Sequence, residues 1–195
     1  TGPVDPVAGT VISPHTDPPW QFTPYTEPIH QAFGVPVVLE NDADAAAFGE
    51  YWMGAGKGAK RLYVITVGTG IGTSFIEDGK IFRGKDGLHP EGGHIIIDAS
   101  ADTHCYCKMR GCWESLASGD GFTVQCRKRY LQDEDWRKVL GLDKVEDLSS
   151  AKVIEAATAG DAVAQELVAK QGEYLGIGLL NIISCFIPEK IIMTG

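Results

Sequence analysis

Apolar residues recur along this chain in short dense runs, and the spacing inside each run predicts its element. Val35-Pro36-Val37-Val38-Leu39 and the stretch from Leu62 to Val67 are continuous, β-branched and nearly free of polar residues, the pattern of strands buried on both faces. Between them the alanines and Phe48 of Ala43 to Met53 make a compact helix, stopped by Gly54-Ala55-Gly56. The second strand runs into Gly68-Thr69-Gly70-Ile71-Gly72. Thr73 to Ile76 and Lys80 to Arg83 then form a hairpin about Asp78-Gly79, a pair suited to a type I′ turn. Ile95-Ile96-Ile97 predicts a strand, helical spacing covers about 113–131, 146–158 and 161–185, and Ile191-Ile192-Met193 predicts the last strand. Residues 1–30, rich in proline and threonine, read as an irregular surface segment ending in a short helix. No internal repeat or low-complexity tract is visible. Intermixed strands and helices with a hairpin among them define an α/β class with a mixed sheet.

Length and composition narrow this picture. The 195 residues suffice for one good-sized domain or two small lobes around a cleft, and a 44% hydrophobic content allows a packed core. With 17 basic against 26 acidic side chains the net charge is −9, which argues against nucleic acid as a partner of this segment. A small phosphate compound is still open to it, because backbone N–H groups hold phosphate without side-chain charge. No apolar run reaches membrane-spanning length and no signal-peptide pattern opens the chain, so a cytoplasmic location is expected. Five cysteines, three of them crowded together, point to metal rather than to a secreted disulfide framework. Thr1 lies in a loop-like stretch and Gly195 follows directly on a strand pattern, so a sequence cut at both ends is expected.

Three constellations could carry chemistry. The glycine loop at 68–72 follows a strand, where backbone donors can cradle phosphate. It is neither a dinucleotide fingerprint, since position 73 is threonine, nor a Walker loop, since no Gly-Lys-Ser/Thr occurs. A strand follows it, so it resembles the phosphate-binding hairpin of actin-like kinases; the plainer reading is a tight turn. Asn41-Asp42 lies between a strand end and a helix start, where Asp42 or Asp44 could cap the helix. A carboxylate there could instead accept the proton of an attacking hydroxyl during phosphoryl transfer. His94 with Cys105, Cys107 and Cys112 offers the Cys₃His composition of a closed tetrahedral zinc site. His89 and His104 are rival imidazoles that spacing does not separate. Cys126 and Cys185 lie in helical patterns and read as small buried hydrophobes. Glu91 and Glu114 flank the cluster, either solvated or accepting hydrogen bonds from sugar hydroxyls.

Four motifs in one order carry a resemblance. They are Glu40-Asn41-Asp42-Ala43-Asp44 through Gly54-Ala55-Gly56-Lys57-Gly58; Gly68-Thr69-Gly70-Ile71-Gly72; Glu91-Gly92-Gly93-His94; and Cys105-Tyr106-Cys107-Lys108-Met109-Arg110-Gly111-Cys112-Trp113-Glu114. Together they resemble the ROK family (repressors, open reading frames and kinases). The resemblance implies an actin-like (ribonuclease H-like) ATPase fold with two lobes around a cleft, mixed sheets and a sugar substrate. Residues 1–54 would be the remainder of the small lobe with the Asn-Asp pair, and 55–195 the large lobe. Asp42 matches the catalytic base, and Asn41, Glu91, His94 and Glu114 match sugar ligands. His94 also matches a zinc ligand with Cys105, Cys107 and Cys112, and Gly68, Thr69 and Gly70 match a phosphate loop. ATP with Mg²⁺ would be the phosphoryl donor, Zn²⁺ structural, and the assembly a homodimer. A hexose is implied, glucose ahead of fructose, mannose and N-acetylated amino sugars. A sugar-sensing repressor, with its DNA-binding part outside this chain, is the second reading. The sequence departs from the family at Thr73-Ser74 and Lys108, where glycine is usual. An Asp-Gly-Gly-Thr phosphate loop and the glycine-rich adenosine segment are absent, so this segment alone is expected to be inactive.

Overall fold

The computed structural model describes residues 4–12 and 22–195. The chain divides into two compact units, Thr1–Thr66 with Gly72–Gly92 and Ile187–Thr194, and Val67–Ile71 with Gly93–Phe186 and Gly195.

The first unit contains, in chain order, β1 (Val4–Asp5), β2 (Thr10–Val11), α1 (Thr26–Phe33), α2 (Asp42–Trp52), all but the last residue of β3 (Arg61–Val67), all but the first of β4 (Ile71–Glu77), and β5 (Lys80–Ile81). After the second unit the chain returns as β6 (Lys190–Thr194). The sheet order is β5-β4-β3-β6, and β3 is central because it is apolar on both faces. Its Leu62, Tyr63, Val64 and Ile65 are buried. β6 runs parallel to β3 and β5 antiparallel to β4, so the sheet is mixed, as the sequence pattern predicts. Asp78 and Gly79 have φ of 47° and 77°, the two positive values of a type I′ turn. Helix α2 places Ala47 against Leu62, Val64 and Ile76. Val35 to Leu39, expected as a strand, is irregular, and Val38 is exposed. Its pattern suits a strand, but it joins neither sheet of the described residues.

The second unit is helical: α3 (Trp113–Ala117), α4 (Gly119–Gln132), α5 (Glu134–Leu140), α6 (Ser150–Thr158) and α7 (Ala162–Phe186). Phe122, Cys126, Tyr130, Trp136, Leu148, Val153 and Ala164 form its core, so Cys126 is the buried small hydrophobe expected, whereas Cys185 is exposed. α7 meets α3 through Gly178. A Cβ at position 178 would lie 2.0 Å from the Trp113 indole, so only hydrogen fits there. Two expectations change. Ile95 to Ile97 makes a single bridge, Ile96 with Cys112, rather than a strand. The helix expected over 113–131 breaks at Ser118, which is extended (φ −75°, ψ 170°) and caps α4 by accepting the Gly121 N–H.

Candidate functional site

In the first unit the turn before α2 resolves which residue caps. Asn41 is buried, and its Oδ1 accepts the N–H groups of Ala43 (2.8 Å) and Asp44 (3.3 Å). Asp42 is therefore not needed as the cap. It occupies the first helical position, is exposed, and accepts the Ala43 N–H at 3.0 Å. Asp44 points inward instead, fully buried, and accepts the Ser74 hydroxyl at 2.6 Å. Burial pushes its carboxyl above the ordinary range, opposed by the Ser74 hydrogen bond and by His89 and Arg83.

Arg83 bridges the Glu40 carboxylate and Asp44, the latter at 3.3 Å. His89 stands between two carboxylates, with Nδ1 3.9 Å from Asp44 Oδ2 and Nε2 3.4 Å from Glu91 Oε1. Burial favours the neutral ring, but the Glu91 carboxylate, by hydrogen bonding and charge, and Asp44 raise its pKa above the ordinary histidine value. Thr73 accepts the Gly92 N–H at 2.9 Å and approaches the Pro90 carbonyl at 3.4 Å. A Cβ at Gly92 would lie 2.6 Å from the Thr73 hydroxyl and 2.9 Å from that of Tyr63. The Thr73-Ser74 departure thus has a physical content: adjacent hydroxyls of β4 tie down the Glu91 segment and Asp44. Arg83 and His89 carried no such sign in the sequence, because a lone arginine or histidine is silent about its partners.

In the second unit the glycine loop is fixed by two elements. Gly68 donates its N–H to the Gly70 carbonyl at 3.0 Å, while the Gly68 and Thr69 carbonyls accept the N–H groups of Gly119 (2.8 Å) and Asp120 (3.3 Å) at the start of α4. This explains the break at Ser118: it turns two N–H groups of α4 toward the loop. Glu114, in the first turn of α3, accepts the Ile71 N–H at 2.9 Å. A Cβ at Gly70 would lie 2.5 Å from the same Glu114 oxygen. A cavity of about 500 Å³ opens here, lined by Thr69, Gly70, Tyr106, Glu114, Ser118 and Lys128 among others.

The metal candidates also converge. One ligand atom from each of His94, Cys105, Cys107 and Cys112 lies within 4.8 Å of the others. His94 Nδ1 is 3.5 Å from Cys105 Sγ, and Cys107 Sγ is 3.5 Å from Cys112 Sγ. Bond lengths of roughly 2.3 Å to sulfur and 2.0 Å to nitrogen give a tetrahedron with edges of roughly 3.5–3.8 Å, which these two separations match, so the Cys₃His set is compatible with a structural metal. The other ring nitrogen, Nε2, is 3.1 Å from the Tyr106 hydroxyl. That contact leaves Nδ1 turned toward the thiols. Without a cation, burial pushes the Cys112 thiol up to about 12. His104 is exposed and His89 is bound to carboxylates, which separates His94 from its rivals. Lys108, between the cysteines, has φ 71°, the left-handed region where glycine is favoured.

A mixed α/β sheet with a glycine loop between neighbouring strands is the architecture of the actin-like ATPase fold. Residues 1–195 match the ROK family. The chain belongs to the ROK family. It is 35% identical over 176 residues to a glucokinase of Halalkalibacterium halodurans, covering 90% of this chain and 53% of that protein. It is 32% identical over 193 residues to a xylose repressor of Caldicellulosiruptor bescii, covering 98% and 47%. Among solved structures, a ROK family glucokinase from Streptomyces griseus in complex with glucose and AMPPNP matches with TM-score 0.80 at 35% identity, over 95% of this chain and 60% of that one. The chain therefore spans about half the length of the curated relatives it matches. No helix among the described residues is long and apolar enough to cross a membrane.

Proposed function

We propose that the protein containing this chain transfers the γ-phosphoryl group of ATP to a hydroxyl of a hexose, with glucose the favoured substrate. The observation that carries the reading is the division of labour at α2: Asn41 caps the helix from a buried position, and the Asp42 carboxylate stands exposed at the first helical position, where it can take up a proton. As the sugar oxygen bonds to the γ-phosphorus, the bond from that phosphorus to the β–γ bridging oxygen breaks and ADP departs. The hydroxyl proton passes to the Asp42 carboxylate. Asn41, Glu91, His94 and Glu114 are the proposed sugar ligands, and the loop Gly68-Thr69-Gly70 is the proposed phosphate contact. Mg²⁺ would accompany ATP as part of the donor. Zn²⁺, held by His94, Cys105, Cys107 and Cys112, would be structural, since four protein ligands leave no open position. Its service is to hold the loop that leads into Glu114.

The relatives supply two supports of different kinds. Glucokinases at 35% identity favour the kinase, and a xylose repressor at 32% favours a second reading, a sugar-responsive transcriptional regulator. The whole gene product separates them: an upstream helix-turn-helix supports the regulator, and an Asp-Gly-Gly-Thr start supports the kinase. The functional test is ADP release by the full-length protein with Mg-ATP across a hexose panel. Turnover with one sugar that Asp42→Asn reduces by about 10²-fold or more fits a general base. Turnover unchanged in Asp42→Asn rules out that base, and no turnover in zinc-replete protein turns the assignment to the regulator.

A further inference from the structure

We propose that His89 is the positioning residue of Glu91, orienting that carboxylate for sugar hydroxyls from a charged bed formed by Glu40, Arg83 and Asp44. The inference rests on the sugar-binding reading above and names a residue that acts within it.

The geometry separates a buried end from an open one. The His89 side chain is 3% exposed, while that of Glu91 is 34% exposed. Nε2 of the ring approaches Glu91 Oε1 at 3.4 Å, so one carboxylate oxygen of a part-exposed side chain faces the buried imidazole. The ring is held from behind: Asp44 Oδ2 lies 3.9 Å from Nδ1, and neither atom makes a hydrogen bond among the described residues. Asp44 is fixed in turn by the Ser74 hydroxyl and by Arg83, which also holds Glu40. The backbone on each side of Glu91 is fixed separately, through the Thr73 hydroxyl at Gly92 N–H and the Pro90 carbonyl.

Charge explains why an imidazole suits this place. Glu40 and Asp44 share one guanidinium, and Asp44 and Glu91 flank the imidazole, so a protonated ring between those two carboxylates relieves repulsion that a neutral side chain would leave. The same arrangement limits how Glu91 can rotate. A glutamate on a loop otherwise loses rotamer freedom when it binds, and prior orientation removes part of that cost. Glu40, held by Arg83, also accepts the Asn41 N–H at 2.9 Å, so one charged bed supports both the Asn41-Asp42 turn and Glu91.

The experiment is calorimetric titration of the zinc-replete, full-length protein with glucose, fructose, mannose and N-acetylated amino sugars. It compares His89→Asn with His89→Gln. Glutamine carries its amide nitrogen where Nε2 stood and can still meet Glu91; asparagine reaches only the Nδ1 position. His89→Asn is expected to raise the sugar Kd by roughly tenfold or more, and His89→Gln to stay within roughly threefold, while both variants melt together. Equal affinity in His89→Asn and wild type overturns the inference, as does equal loss in both variants, the mark of a merely structural role. Should His89→Asn not fold, the native protein still decides. The His89 imidazole nitrogen resonances are expected to move on sugar addition, and resonances that stay put overturn the inference. A wild-type protein that binds none of the sugars removes the sugar reading itself, and the inference with it. That outcome is read in the unmutated chain, apart from the variant results.

Discussion

The Glu114 carboxylate accepts the Ile71 backbone N–H at 2.9 Å, joining the first turn of α3 to the exit of the glycine loop. Cys112, one of the metal candidates, occupies the N-cap position of the same turn, two residues before Glu114. One short helix therefore answers to both the metal loop and the glycine loop.

Gly70→Ala tests that joint. Its Cβ would fall 2.5 Å from Glu114 Oε2, so the carboxylate must swing away and the bond to Ile71 is lost. A hydrogen bond to a charged group contributes about 1.5–3 kcal/mol, so thermal unfolding should show a loss of that order. Gly68→Ala, whose Cβ meets nothing within 4 Å, should leave the melting temperature unchanged. Equal effects at the two positions would count against the joint.

Metal removal should be felt as instability. Purified protein is expected to carry one zinc per chain by elemental analysis, and Cys107→Ser to carry almost none. Cys126→Ser should keep its zinc, since Cys126 lies in the α4–α6 core and away from the cluster. Chelation should lower the melting temperature of wild type and leave that of Cys107→Ser where it is.

Lys108 stores backbone strain inside the metal loop, at φ 71°. A residue with a Cβ in the left-handed region costs roughly 1–2 kcal/mol, so Lys108→Gly should stabilise the loop by about 1 kcal/mol. Slower zinc release to a chromogenic chelator is the readout. Faster release would show that the lysine side chain, not the backbone angle, governs the loop.

The pH dependence of stability follows from His89. Its folded pKa lies above the ordinary value of 6.5, despite burial, because of Glu91 and Asp44. The ring's contribution to stability is therefore complete below about pH 6.5 and is lost as pH rises through the raised folded value. The difference in melting temperature between wild type and His89→Gln should shrink as pH increases through that window. A difference that is flat with pH would show that folding leaves the pKa of the ring unshifted, and one that grows with pH would show the ring held neutral.

Much of this was legible in the sequence where chemistry restricts residue type. Three cysteines and a histidine at short range announce a metal site, and a β-branched run ending in glycines announces a buried strand and its loop. Choosing among imidazoles was different, because His89, His94 and His104 differ in what the chain path brings to them, not in what they are. The break at Ser118 was hidden for a related reason: Leu116, Ala117 and Phe122 are all buried, so apolar spacing runs on through it. Only the carbonyls of Gly68 and Thr69 demand the break, and they lie some fifty residues earlier. Val35 to Leu39 shows the reverse case, a strand pattern that joins neither sheet of the described residues.

The contact between Thr73 and Gly92 has a consequence for descent. A hydroxyl-bearing side chain at 73 takes up space that a Cβ at 92 would need, with Tyr63 closing the other side. The two positions should therefore covary among ROK relatives. Lineages with glycine at 73 lose the nearer of the two obstacles to a bulkier residue at 92, and those with threonine are held to glycine. A paired alignment of the family would display this as an anticorrelation in volume, independent of which sugar each member binds.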